Sequence, residues 1–279
     1  MKLNVKIGIM QGRLSKPVEN QIQAFPTNSW KNEFELAQKI GFNCIEWVFD
    51  DTSNPIFTNN AEEILDLSKK FNIKINSVCA DIFMKKLLFR ENSQIIETHF
   101  KILEKLILQC NKLKIPIIEI PLVDSSSLKT DEEKTQFCNN LSKILPLANS
   151  LNVHIALETD LSSNDFKKLL KNFDNNEVKA NYDVGNSTAN KFDIKNELET
   201  LQPWIINIHI KDRFAGGITV PLGTGDTNFD VFFSSLNEIN YTGDLIIQGA
   251  REDIHQKIKP KITCIKYFNF VKNYLGKYS

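Results

Sequence analysis

No stretch of about 18 consecutive apolar residues occurs in the chain, so no part of it is suited to cross a bilayer as a helix. An excess of one charge sign is missing too. Lys+Arg and Asp+Glu both number 34 and the net charge is zero, which argues against non-specific nucleic-acid binding, where a basic surplus is expected. Cysteine is sparse. Cys44, Cys79, Cys110, Cys138 and Cys264 form no CxxC pair and are odd in number, which excludes a disulfide framework and points to buried free thiols in a reducing compartment. No cysteine ends a strand beside a base, so thiol nucleophile chemistry is not expected. The opening MKLNVKIGIMQGRL lacks the apolar core and small-residue cleavage site of a signal peptide, so a cytoplasmic location is expected. No glycine-rich GxGxxG follows the first strand-like run, which removes support for a dinucleotide-binding open sheet. No low-complexity linker or shift in composition divides the chain.

What is present is alternation. Strand-like runs occur at Val5–Met10, Cys44–Phe49, Ile75–Ala80 and Ile115–Val123, then in HIALE, VKANYD, IINIH and DLIIQ. Segments of helical period separate them. SWKNEFELAQKIG follows a capping-type Asn28 or Ser29 and stops at Gly41. The stretch 94–113 carries a broad apolar stripe through Ile96, Phe100, Leu103, Leu106, Ile107 and Cys110. DEEKTQFCNNLSKIL is expected to kink or end at Pro146. Eight strands alternating with eight helices predict an α/β fold, a (β/α)8 TIM barrel forming one domain over residues 1–279, with a doubly wound open sheet as the alternative.

In such a barrel the carboxyl ends of the strands meet at one face. The last four runs end at Glu158, Asp183, His209 and Gln248, and their spacing fits four adjacent β/α units, the third with a long loop. Two carboxylates, an imidazole and an amide oxygen make an N/O ligand set for one divalent metal ion such as Mn, Mg, Co or Zn. Any one of these residues alone is more often a polar strand-end cap; four in consecutive units favour the metal. The imidazole nitrogen that does not face the ion needs an acceptor behind it.

The chain resembles the xylose isomerase-like TIM barrels, in the branch of sugar phosphate isomerases and epimerases. The resemblance runs over nearly the whole chain and rests on GIMQGRLS, GFNCIEWVFD, INSVCADIFM, ALETDL, NYDVGNS, HIKDR, VPLGTG and IIQGAR. It implies a divalent ion held by Glu158, Asp183, His209 and Gln248. It also implies a metal-dependent isomerase or epimerase of carbohydrate metabolism, acting on a small sugar or sugar phosphate by α-proton abstraction through a metal-stabilised enediolate. Homo-oligomers are common among such barrels. The pattern departs from the family in two places. The family's ketose epimerases use a second metal-bound glutamate as base, and Gln248 stands there; an amide neither accepts nor donates a proton near neutral pH. A histidine that binds substrate shortly after the metal aspartate is replaced by Asn186.

With that base missing, Glu158 remains as ligand and base. Lys211, just past His209, becomes a second catalytic candidate if burial beside a cation lowers its pKa; the alternative is a solvated loop lysine. Glu46, Asp81 and Asp212 are further carboxylates expected at the mouth, Glu46 with Arg13 as its natural partner. Arg13, Arg213 and Arg251 each follow a strand and together are suited to grip a phosphate or carboxylate, at least one of them being expected to form a structural ion pair, with Asp212, Glu252 or Glu46. The substrate-binding set is thus Arg13, Glu46, Asp81, Asn186, Asp212, Arg213 and Arg251. The amides of PLGTG are either an anion cradle or a loop-closing turn, and Trp47, Phe49 and Phe83 either stack on a sugar or pack in the core. His99, His154 and His255 fall away from the mouth. A metal-dependent lyase or dehydratase on a keto-sugar or inositol derivative is the alternative reaction, since one base and one metal suffice for it. An endonuclease-like use of the same barrel finds too few well-placed histidines, and a non-catalytic sugar-binding barrel would need no metal.

Overall fold

Strands whose two faces are both covered read as near-continuous apolar runs rather than as alternating ones, and that is the pattern in CIEWV and IIEIPL, where every residue is buried. The computed structural model describes residues 5–19, 21–58, 60–173, 177–251 and 259–278. Glu252 and His255 lie outside the described residues. The barrel strands are β1 (Lys6–Met10), β2 (Cys44–Val48), β3 (Lys74–Cys79), β4 (Ile117–Leu122), β5 (His154–Thr159), β6 (Val178–Asp183), β7 (Ile205–Ile210) and β10 (Asp244–Ile247). They close in the order β1-β10-β7-β6-β5-β4-β3-β2, with every barrel pairing parallel. The open-sheet alternative is therefore excluded. β5, β6, β7 and β10 are consecutive in the ring, so the strand ends carrying Glu158, Asp183, His209 and Gln248 are neighbours.

The helices follow local chemistry. α1 (Trp30–Ile40) ends at Gly41, whose φ of 109° is left-handed and open to glycine. α2 spans Ala61–Phe71. α3 (Ser93–Leu113) opens where the Asn92 side chain accepts from Ile95 N, satisfying a first-turn amide. α4 (Asp131–Leu141) stops short of Pro146, and α5 (Leu145–Ser150) begins there with the proline in its first turn, where the missing N–H is no loss. α6 (Ser163–Leu170), α8 (Ile194–Leu201), α9 (Phe229–Glu238) and α10 (Pro260–Lys277) complete the coat. Among the described residues none of these is long and apolar enough to cross a membrane.

Two elements differ from the sequence expectation. The sequence suggests only a polar or glycine-rich loop after each of the last four runs, whereas α7 (Val184–Ala189) starts directly after Asp183, with Asp183 Oδ1 accepting from Asn186 N at 2.9 Å as its N-cap. The long loop after β7 contains an antiparallel ribbon, β8 (Asp212–Arg213) with β9 (Thr219–Val220). All five cysteines are buried and free, as expected. Trp47, Phe49 and Phe83 are all but fully buried; Trp47 packs between Phe25 and Trp30, so these rings belong to the core.

Candidate metal centre and substrate cavity

Glu158, Asp183 and His209 each offer a ligand atom, and these atoms lie within 4.8 Å of one another, all buried. His209 is fully buried and uses its two nitrogens differently. Nδ1 stands 3.0 Å from Glu158 Oε2 and 3.9 Å from Asp183 Oδ2. Nε2 meets Glu46 Oε1 at 2.5 Å. A histidine that ligates a metal through one nitrogen needs an acceptor on the other to fix its orientation, and Glu46 is that acceptor. Burial alone would lower the imidazole's pKa, but the Glu46 and Glu158 carboxylates outweigh it and raise the pKa well above the ordinary histidine value. Gln248 is 7% exposed. Its Nε2 donates to Gln23 Oε1 at 2.9 Å, which leaves Oε1 buried and without a hydrogen-bond partner. An amide so oriented presents an oxygen ligand that the fold itself does not use. Two carboxylates, one imidazole nitrogen and this orphaned oxygen fit a hard divalent ion.

The surrounding polar network holds these groups in place. Asn186 Nδ2 donates to Glu158 Oε1 at 2.6 Å and Asn181 Nδ2 to Glu158 Oε2 at 3.0 Å. Asn207 Nδ2 donates to both Asn181 Oδ1 (3.0 Å) and Glu46 Oε2 (2.7 Å), and Ser77 Oγ donates to the same Glu46 oxygen. Burial pushes the Glu158 carboxyl upward, but His209 and Lys211 prevail and hold it well below the usual carboxylate value, so it is ionised.

Several residues expected to work at the mouth do other work. Glu46 does not reach the cavity: it is fully buried and bonded to His209, Asn207 and Ser77. Nor does it pair with Arg13, whose guanidinium is spent on Gly249 O (3.0 Å), Ile22 O (2.8 Å) and Gln23 Oε1 (3.2 Å). Arg251 donates to Gly12, Ser15 and Ile22 carbonyls. These two arginines tie the loop after β1 to the end of β10 and form no anion grip with Arg213. Arg213 does line the cavity, and its Nη1 donates to Asn186 Oδ1 at 2.9 Å.

Asp212 is fully buried and takes the place of an anion in the PLGTG turn. Its Oδ2 accepts from the amides of Gly223 (2.8 Å), Thr224 (3.1 Å) and Gly225 (2.9 Å), and its Oδ1 from Thr227 N (3.2 Å). The turn is closed by the chain's own carboxylate. A Cβ at Gly225 would fall 2.4 Å from Asp212 Oδ1, so the close approach requires glycine. Asp212→Ala leaves four amides without an acceptor and is expected to cost roughly 3 kcal/mol or more, by the usual penalty for unsatisfied buried groups. Urea denaturation with an unchanged midpoint would contradict this role.

Lys211 was expected to become a base through a lowered pKa. Its Nζ instead lies 2.6 Å from Asp183 Oδ2. Burial favours the neutral amine, but the Asp183 and Glu158 carboxylates dominate and raise the pKa above the ordinary lysine value, so the group stays an ammonium. Gly185 makes room for it, since a Cβ there would stand 2.8 Å from Lys211 Cβ.

The cavity above these residues has a volume of about 1110 Å³ and is lined by Asp81, Glu158, Asn186, Lys211, Arg213 and Gln248 among others. Ligand pockets commonly span roughly 300–1,000 Å³, so a sugar fits with room to spare. Asp81 accepts from Gln23 Nε2 at 2.7 Å, and burial raises its pKa. His99 Nδ1 lies 2.7 Å from Leu87 O, and His154 begins β5 at the far end, so both are away from the mouth.

Four participants were missed in sequence: Gln23, Glu119, Asn181 and Asn207. Asn181 and Asn207 stand two residues before Asp183 and His209 and so share their inward face. Glu119 interrupts the apolar run of β4 and lines the cavity, fully buried. Burial and the carboxylates of Glu158 and Glu46 raise its pKa well above the usual value.

A family model described as xylose isomerase-like TIM barrel matches residues 34–266. The L-ribulose-5-phosphate 3-epimerase UlaE of Escherichia coli K12 is 25% identical over 260 residues, covering 89% of this chain and 90% of the relative. Among solved structures, D-psicose 3-epimerase from Clostridium cellulolyticum H10, crystallised with D-tagatose, superposes with a TM-score of 0.80 at 15% identity, over 97% of this chain and 99% of that one. The IolI protein with a bound zinc atom gives 0.79 at 16% identity, over 99% of each chain. At these identities the structural likenesses speak to the fold.

Proposed function

The chain belongs to the xylose isomerase-like TIM barrel family, and on that premise we propose that it is a divalent-metal-dependent isomerase or epimerase of a small sugar or sugar phosphate. The observation that carries the reading is the buried convergence of Glu158, Asp183 and His209, with Gln248 contributing an oxygen the fold leaves unpaired. The relatedness to a ribulose-5-phosphate 3-epimerase supports the substrate class. Glu158, Asp183, His209 and Gln248 would hold one ion, which when bound supplies Lewis acidity toward a carbonyl and its neighbouring hydroxyl.

The chain's own residues supply the rest. Glu158, ionised and clamped by Asn181 and Asn186, takes the proton from the carbon next to the carbonyl. Lys211, kept as an ammonium by Asp183, is matched to returning a proton rather than removing one. Asn186 and Arg213 form one hydrogen-bonded edge of the cavity, where they meet substrate oxygens. Because Gln248 cannot exchange a proton, a lyase or dehydratase using the single base Glu158 is the second reading, and that one residue favours it.

The metal part is tested by calorimetric titration of the metal-free protein with Mn²⁺. One ion per chain is expected, and Gln248→Glu is expected to bind it at least as tightly, since a charged oxygen replaces a neutral one. Failure of the wild type to take up Mn²⁺ would overturn the reading. Weaker binding by Gln248→Glu would remove Gln248 from the ligand set.

A further inference from the structure

We infer that Glu119 is a substrate-binding residue whose carboxyl group receives a sugar hydroxyl on the β4 side of the cavity, across the barrel from Gln248. The inference rests on the proposed sugar chemistry and adds to it a contact that the ligand set does not supply.

Glu119 is fully buried, lines the cavity, and has no hydrogen-bond partner for either oxygen among the described residues. A buried carboxyl group in that condition burdens the fold, and native proteins seldom keep one without a use. Its neighbours in the sheet explain why nothing answers it. Cys79 on β3 and Ala156 on β5 stand beside it in register. Ala156 has no polar side chain, and the Cys79 thiol, a weak donor whose single proton is directed to Asp81 Oδ1 at 3.2 Å, lies between the Asp81 and Glu119 carboxyls and can serve only one of them at a time.

A second cation is a poor occupant. Glu119 forms a cluster with Glu46 and His209, but the His209 nitrogen on that side is already committed to Glu46 Oε1 at 2.5 Å. Glu46 in turn is bonded to Ser77 and Asn207. A hydroxyl group, which both donates and accepts, suits the unpaired carboxyl better. In the ring β4 is next to β5 and opposite β10, and Glu119 lines the same cavity as Glu158 and Gln248. A sugar held in the cavity would have the proposed ion and its ligands on one side and the unpaired Glu119 carboxyl on the other.

The test uses the full chain loaded with Mn²⁺, with Glu119→Leu and Glu119→Gln. The probes are D-psicose, D-tagatose and L-ribulose 5-phosphate. Both variants are expected to keep the wild-type metal stoichiometry and to melt at a higher temperature without sugar, because an unpaired buried carboxyl has been removed. Solvent deuterium exchange into the best probe at low sugar concentration is expected to fall at least tenfold for Glu119→Leu and less for Glu119→Gln, with the loss mainly in KM. Lower melting temperatures for both variants would make Glu119 a structural residue and overturn the inference, as would unchanged exchange. Should the wild type bind Mn²⁺ and exchange deuterium into none of the probes, the proposed function fails. Glu119 is then judged by calorimetric binding of the same sugars: binding lost in Glu119→Leu upholds it, while equal binding, or none by the wild type, overturns it.

Discussion

His209→Ala is expected to abolish stoichiometric binding of a divalent ion while the barrel remains folded. Nδ1 is the nitrogen donor among the three converging residues, and no other histidine of the described residues stands near it. Losing residues that merely orient a ligand costs roughly 10–100-fold in metal affinity, so losing the ligand is expected to exceed that range. The variant also strips Glu46 of a partner, but Ser77 and Asn207 still donate to that carboxylate, so a lowered melting point rather than unfolding is expected. Elemental analysis and far-UV circular dichroism check the two halves separately. A folded variant with wild-type metal content would remove His209 from the centre.

Glu158→Gln is expected to reduce solvent exchange at the substrate's α-carbon on the order of 10³-fold, within the range that loss of a general base produces. The amide keeps the shape, but its single oxygen can accept from only one of Asn181 and Asn186, so one of the two donors loses its partner. What disappears is the capacity to take a proton, along with one negative charge toward the ion. Saturating the variant with Mn²⁺ separates the two effects. If exchange returns to the wild-type rate at high metal concentration, Glu158 is a ligand and not the base.

The barrel was legible because each strand is a short, continuously apolar run and each helix carries a cap or an apolar stripe. The four ligand candidates were legible for the same reason: each ends such a run, and parallel closure forces the ends together. The helix after β6 was not, because VGNSTA is short and poor in helix formers; it is nucleated by Asp183, the same side chain read as a ligand. The fates of Arg13 and Arg251 were also hidden. Following a strand places an arginine near the mouth, but which backbone carbonyls absorb its donors depends on the path of the loop after β1. Asp212 illustrates the same limit, since its four amide partners come from a turn eleven or more residues away. Asn181 and Asn207, each two places before a ligand candidate, and Glu119, a lone carboxylate in a buried run, do carry a signal in sequence: a polar residue within a buried strand needs a site or a network to accept it.

In the proposed reaction a buried metal centre with Glu158 as its base removes a proton next to a sugar carbonyl. Proton NMR of the Mn²⁺-reconstituted and then metal-stripped reaction mixture, in deuterated water with a panel of ketoses and ketose phosphates, tests this most directly. The expected result is loss of the α-proton signal in at least one sugar, dependent on the metal and absent with Glu158→Gln. A protein that binds its ion and leaves every α-proton in place, or one that exchanges them equally well without metal, would contradict it.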